Sequence, residues 1–336
     1  MLDYRGKTVA VTGADGFIGS HVVEALVSAG ASVRALACYK SFDSSGWLDD
    51  LAPDALANVA ITRGDVRDPG QMTRFLEGAD VCLHLAALIA IPFSYEAPSS
   101  YVDVNVRGTI NVLEAARANG RCRVVHTSTS EVYGTALTEP MDETHPLQGQ
   151  SPYSASKIGA DMMAEAYARS FGLDVVTLRP FNTFGPRQSE RAVIGSTIRQ
   201  ALDPACAAIE IGDASPRRDF TFVEDTAAAF LAVGLSDRVV PGQVYNGGTG
   251  RSVTIGETVA AIARLSGTNK PVVTRADRMR PANSEVRALI ADHGRLTATT
   301  GWAPATSLEA GLERTIGWWR ARLAAGRVRS GAGYMV

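Results

Sequence analysis

The chain has 336 residues, 46% of them hydrophobic and 20% charged, a balance that supports one broad core or two smaller ones and excludes a disordered chain. Its formal net charge of -2 gives no general attraction to nucleic acid or an anionic membrane, so any basic site must be local. The four cysteines, Cys38, Cys82, Cys122 and Cys206, lack metal-ligand spacing, and three fall in or beside apolar runs; they read as reduced thiols in a cytoplasmic protein without a metal.

Residues 1–7 lead into a strand-like run with no apolar signal segment, and no stretch approaches the about 20 apolar residues that a bilayer requires. Neither export nor a membrane partner is expected. Strands are predicted at 8–12, 32–37, 59–63, 81–85, 123–127 and 175–178, and helices at 17–29, 102–118 and 154–170. Short, fully apolar strands joined by helices imply an α/β fold, a Rossmann-type doubly wound parallel sheet covered on both faces. From about Arg179 the chain becomes rich in Pro, Gly and Arg, with helices predicted at 194–202, 224–236, 255–266 and 308–325. The expected organisation is a nucleotide-binding domain over 1–179 and a smaller C-terminal substrate-binding lobe over 180–326, some of whose segments return to the sheet. A loose tail is expected over 327–336.

Between the first strand and the first helix stands Gly13-Ala-Asp-Gly16-Phe17-Ile18-Gly19. Glycines there permit a tight turn and let the backbone approach a pyrophosphate seated on the helix N-terminus, which makes this a nicotinamide-dinucleotide loop. The second strand ends without the acid that grips a free 2′-hydroxyl. Arg34, Lys40 and Ser41 are instead candidate contacts to a 2′-phosphate, which puts NADP ahead of NAD. Asp65 and Val66, after the third strand, are placed to meet the adenine. Leu85, Ala86 and Ala87, at the end of the fourth, are candidate cofactor contacts.

Tyr153 and Lys157 lie four apart at the start of a helix and so share one face. A lysine beside a tyrosine stabilises the phenolate and makes the pair a candidate base. Thr129, Ser130 and Glu131 follow the fifth strand, where side chains enter the ligand crevice. Thr129 is a hydrogen-bonding partner for the hydroxyl that Tyr153 deprotonates, and Glu131 is a candidate acid or base.

The glycine triplet, Thr129-Ser130-Glu131, Tyr153 with Lys157, Arg179-Pro-Phe-Asn182, Gly185-Pro-Arg187 and the run from Arg218 to Asp225 together resemble the nucleotide-sugar epimerase/dehydratase family of extended short-chain dehydrogenases. The likeness reaches to about Trp319. The segments at 147–153, 187–193 and 278–285 are most similar to NDP-N-acetylglucosamine 4,6-dehydratases of the legionaminic-acid type. Ser130 departs from the glucose 4,6-dehydratases, which carry an acid there.

The resemblance implies a lyase that oxidises C4, eliminates water across C5 and C6 and reduces C6, so that a tightly bound NADP or NAD is recycled. It implies substrate contacts from Asn182, Arg187, Arg218 and Arg280, and a homodimer formed by the helices at 102–118 and 153–170. Residues 87–94 are expected to face the nicotinamide and the hexose. A UDP-glucuronate decarboxylase and then an NDP-sugar 4-epimerase are the alternative activities. A cofactor-sensing binding protein is the non-enzymatic one.

Overall fold

Successive side chains of an apolar strand leave by opposite faces, so a strand buried on both sides must feed two cores. The computed structural model describes residues 2–279 and 281–328. Strands β1 (Thr8–Thr12), β2 (Ser32–Cys38), β3 (Val59–Gly64), β4 (Val81–His84), β5 (Arg123–Thr127) and β6 (Val175–Pro180) form one sheet with the later strand Val244–Gly247. The order is Val244–Gly247, β6, β5, β4, β1, β2, β3, and every pairing is parallel.

Val9, Val11, Leu83, Val125 and Val176 enter one core with Val22, Val23 and Leu26 of helix α1 (Phe17–Ser28) and Phe230 of the helix Val223–Leu235. Their strand neighbours Ala10, Cys82, Val124 and Val175 enter a second core with Met72, Leu76, Val112, Leu113 and Ala164. This is the doubly wound sheet expected from the alternation of elements. Winding reverses between β1 and β4, which opens a crevice beyond their carboxyl ends.

A third core joins Phe184, Ile198, Phe222, Val259, Ile262, Leu312 and Trp319. It belongs to the lobe built largely from the second half of the chain, and Phe17 and Ile18 of the glycine loop pack against it. The helix Val223–Leu235 and the strand Val244–Gly247 leave that lobe to complete the sheet. Val328 packs on the third core; residues 329–336 lie outside the described residues.

Two local expectations change. Residues 102–118, read as one helix, form a π-helix, Val102–Arg107, followed by the α-helix Gly108–Asn119. The wider turn carries buried Asn105, whose amide bonds both the N–H and the carbonyl of Leu88 at 2.8 and 3.0 Å. Among the thiols, Cys82 and Cys122 are buried, but Cys38 closes β2 at the surface. No helix among the described residues is long and apolar enough to cross a membrane.

Candidate active site

The crevice begins at the turn after β1. Gly13 has φ +65, and a Cβ there would lie 2.7 Å from the Ala86 nitrogen; at Gly19 it would lie 2.1 Å from the Gly13 carbonyl. Both positions are closed to any side chain. Gly16 starts α1 in an extended conformation and no side chain caps it, so amides of the first turn stand ready for an anion. This cradle fits the pyrophosphate of a dinucleotide. Phe17 and Ile18 carry it into the helix, while the Ala86 N–H is fixed by the Thr12 hydroxyl at 3.1 Å. The backbone of Leu85 and Ala86 therefore lies directly against the glycine turn, and Ala87 follows it in the chain.

At the outer strands, Lys40 pairs with Asp15 at 3.4 Å and Ser41 is exposed. Arg34 turns away and donates to the carbonyls of Phe75 and Glu77, so of the three residues grouped at this strand end only Lys40 and Ser41 stand there. Asp65 is paired with Arg67, which holds its carboxyl below the usual range. Val66 is buried against Gly108, and its carbonyl accepts from the Asn111 amide at 2.9 Å.

On the other side of β4, β5 runs into Thr129, whose extended backbone and hydroxyl cap the short 3-10 turn Ser130–Tyr133. Capping fixes Glu131 in the first residues of that turn, where it and Ser130 are buried. The facing helix, Pro152–Phe171, begins two residues earlier than its apolar periodicity suggests, because Ser151 and Ser154 form a capping box around Pro152. Tyr153 and Lys157 thus occupy its first two turns, both buried.

Burial pushes the Tyr153 phenol well above its ordinary value, and the Thr129 hydroxyl opposes that shift by hydrogen bonding. The Glu131 charge also acts on Tyr153, so Thr129, Glu131 and Tyr153 are brought together. Burial pushes the Lys157 ammonium down to about 8, with Asp161 one turn later working against it. The sequence reading made Lys157 the cation that lowers Tyr153; in the fold, desolvation dominates both groups.

Several supporting residues were not singled out from the sequence. Asp161 accepts from the Ser128 hydroxyl at 2.6 Å, from Arg179 at 2.9 Å and from the His126 ring at 3.1 Å, all buried. Arg179 continues to the Tyr133 hydroxyl, which donates to Asn246 at 2.8 Å. Asn105 reaches Ser156, whose hydroxyl donates to the Tyr153 carbonyl at 2.7 Å. A polar residue four positions beyond Lys157 on an otherwise apolar helix face was the available signal for Asp161.

The substrate candidates separate. Asn182 begins a short strand paired with Phe220–Phe222, and its Oδ1 is buried without a hydrogen-bond partner. Arg187, at φ 70, clamps Glu24 of α1 at 2.7 and 2.9 Å. Arg218 is buried against Glu285 at 2.8 Å. Arg280 lies outside the described residues. A cavity of about 480 Å³ between α1 and the lobe gathers Phe17, Arg187, Arg191, Arg199, Arg278 and Trp318. Ile89, on its wall, belongs to the segment whose Leu88 and Ile91 pack on Tyr153. The cavity is rich in arginine but largely charge-balanced: Arg187 pairs with Glu24, Arg199 with Glu190 and Asp203, and Arg278 with Glu210, and Glu190 itself stands on its wall.

A profile of the family described as GDP-mannose 4,6 dehydratase matches residues 10–315. A trifunctional UDP-glucose 4,6-dehydratase/UDP-4-keto-6-deoxy-D-glucose 3,5-epimerase/UDP-4-keto-L-rhamnose-reductase of Arabidopsis thaliana is 32% identical over 95% of the chain. The chain spans about half the length of that relative, 48%. A UDP-glucose 4-epimerase of Mycolicibacterium smegmatis is 32% identical over 92% of this chain and 97% of its own. The crystal structure of DesIV, a dTDP-glucose 4,6-dehydratase from Streptomyces venezuelae with NAD bound, matches with a TM-score of 0.83 and 31% identity, over 95% of this chain and 98% of that one. By its fold, its glycine cradle and these relatives, the chain belongs to the GDP-mannose 4,6-dehydratase family.

Proposed function

We propose that this chain is a nucleotide-sugar 4,6-dehydratase, converting an NDP-hexose, foremost NDP-N-acetylglucosamine, to its 4-keto-6-deoxy form through transient oxidation at C4. The observation that carries the reading is Glu131, a buried carboxylate held by the Thr129 cap beside Tyr153. A 4-epimerase needs no base at C5 and would leave that carboxylate without a task.

A nicotinamide dinucleotide held by the Gly13–Gly19 turn and the Ala86 segment would supply a hydride acceptor for C4 and a hydride donor for C6. Tyr153 takes the proton of the 4-hydroxyl, with Thr129 and Lys157 stabilising the negative charge that develops. Once C4 is a ketone, the C5 proton is acidic and Glu131 removes it. The 6-hydroxyl departs as water, taking its proton from Glu131 directly or through Ser130, and when C6 then receives hydride C5 takes up a proton from solvent, which balances the one that Tyr153 removed from the 4-hydroxyl. Asn182 and Arg218 serve the nucleotide sugar, and Arg280 is kept in that set from the family pattern. The arginines lining the cavity by α1 serve its diphosphate as hydrogen-bond donors, oriented by the carboxylates with which several of them pair. Arg187 contributes by fixing the wall of that cavity through Glu24. In the same reading two copies pair through the helices that carry exposed Val102, Met162 and Phe171.

The test is product mass after incubation with UDP- and GDP-linked N-acetylglucosamine and with UDP-glucuronic acid. Loss of one water from an N-acetylglucosamine donor is expected, with Glu131→Gln slower by about 10²–10⁴-fold. Loss of carbon dioxide from the glucuronide would replace the reading with a decarboxylase, and unchanged mass throughout would point to an epimerase, an untested donor or a non-catalytic binder.

A further inference from the structure

In doubly wound folds the 2′ position of the adenosine ribose is read at the end of β2, by an acid for a free hydroxyl or by a basic residue for a phosphate. Here β2 ends in Ala37-Cys38, with no carboxylate of its own. The carboxylates nearest along the chain and across the sheet are already engaged by arginines. Asp43 pairs with Arg63 and Asp65 with Arg67.

Asp15 differs from both. It lies inside the glycine loop, its side chain only 11% exposed, and its carboxylate meets the half-exposed Lys40 ammonium at 3.4 Å. Lys40 stands two residues past β2, so this carboxylate faces the position where the missing acid would be. Burial above all, and then the Asp15 and Asp65 charges, hold the Cys38 thiol above its ordinary value, with Lys40 and Arg67 opposing them.

The Asp15 backbone is also held from behind. Its carbonyl accepts from the Trp47 N–H at 3.0 Å, and Gly46 sits so close that a Cβ there would lie 2.5 Å from that carbonyl. Trp47 packs edge-on to Trp318 at 5.7 Å, and Arg322 lies over both rings. Asp15 is therefore preorganised by a strap fastened to the helix Leu308–Ala324.

We propose that Asp15 is the acceptor for the ribose 2′-hydroxyl and, by holding Lys40, selects NAD over NADP. This rests on the reading of the glycine cradle as a nicotinamide-dinucleotide site. A carboxylate accepts the hydroxyl proton in a charge-assisted bond but repels a 2′-phosphate, and the cations at this strand end that would welcome the phosphate are each paired, Lys40 with Asp15, Arg63 with Asp43 and Arg67 with Asp65. The sequence alone put NADP ahead because Asp15 and Lys40 are far apart along the chain and their pairing is visible only in the fold.

The test is dinucleotide binding to cofactor-stripped protein, followed by nicotinamide fluorescence and by competition with 2′-deoxy-NAD. NADH is expected to bind at least about tenfold more tightly than NADPH, and removal of the 2′-hydroxyl from NAD to weaken it by about tenfold or more. In Asp15→Asn both ratios should collapse toward one. In Lys40→Met, a surface change that leaves the fold intact, the penalty for 2′-deoxy-NAD should persist and NADPH should weaken further. Should Asp15→Asn not fold, the wild-type ratios and Lys40→Met decide the matter. Equal affinity for NAD and 2′-deoxy-NAD, or tighter binding of NADPH, would overturn the role of Asp15 while leaving the cradle intact. Binding of no dinucleotide at all would overturn the cradle and the role together.

Discussion

The two banks of the crevice are built by different means. On the cofactor side, the turn from Gly13 to Gly19 is shaped by backbone alone, with neighbouring chain closer than any side chain would allow. On the catalytic side, Tyr153 and Lys157 stand on a helix seated over side-chain charge: Asp161, Arg179, His126, Ser128 and Tyr133 bonded to one another out of contact with water. A backbone cradle tolerates no added atom, whereas a buried charge network tolerates no missing one.

The sharpest way to break that contrast is Asp161→Asn. It leaves the Arg179 guanidinium buried without its anion, and a loss of about 3–5 kcal/mol in unfolding free energy is expected, read by denaturant titration. A loss below about 1 kcal/mol would show that the seat is no more demanding than a surface pair.

Lys157 comes next. Its folded value near 8 lies below its ordinary 10.5, so between those pH values the unfolded chain binds more protons than the folded one. Stability contributed by this group should therefore rise with pH across that window, by up to about 3 kcal/mol. The difference in stability between wild type and Lys157→Met, measured from pH 7 to 10.5, isolates it; a flat difference would place the ammonium in a solvated site.

The last test is Gly13→Ala, whose main readout is binding. The positive φ alone costs about 1–2 kcal/mol, the Cβ must also push back the Ala86 backbone 2.7 Å away, and the displaced turn should lose most dinucleotide affinity. Retention of wild-type affinity in a folded Gly13→Ala protein would remove the close-packed turn from the cofactor site.

The contrast also explains what could be read in advance. Glycines at fixed spacing between a strand and a helix announce a backbone device, and apolar runs announced the sheet, because both signals are local. The Tyr153/Lys157 spacing was legible for the same reason. Asp161, Asn105 and Asp15 were not, since each matters through partners that only the fold supplies: Arg179 on β6, Leu88 after β4, Lys40 after β2. The π-turn around Asn105 had no periodic signature, and Arg187 looked available for a ligand until α1 brought Glu24 to it.

The most direct measurement is the fate of the hydrogen on C4. With NDP-N-acetylglucosamine deuterated at C4, a dehydratase in which Tyr153 and Glu131 act in turn delivers that deuterium to the C6 methyl group of a 4-keto product. Deuterium retained at C4 of an unchanged-mass sugar would contradict dehydration at this site, and its absence from C6 of a dehydrated product would contradict internal return of the hydride.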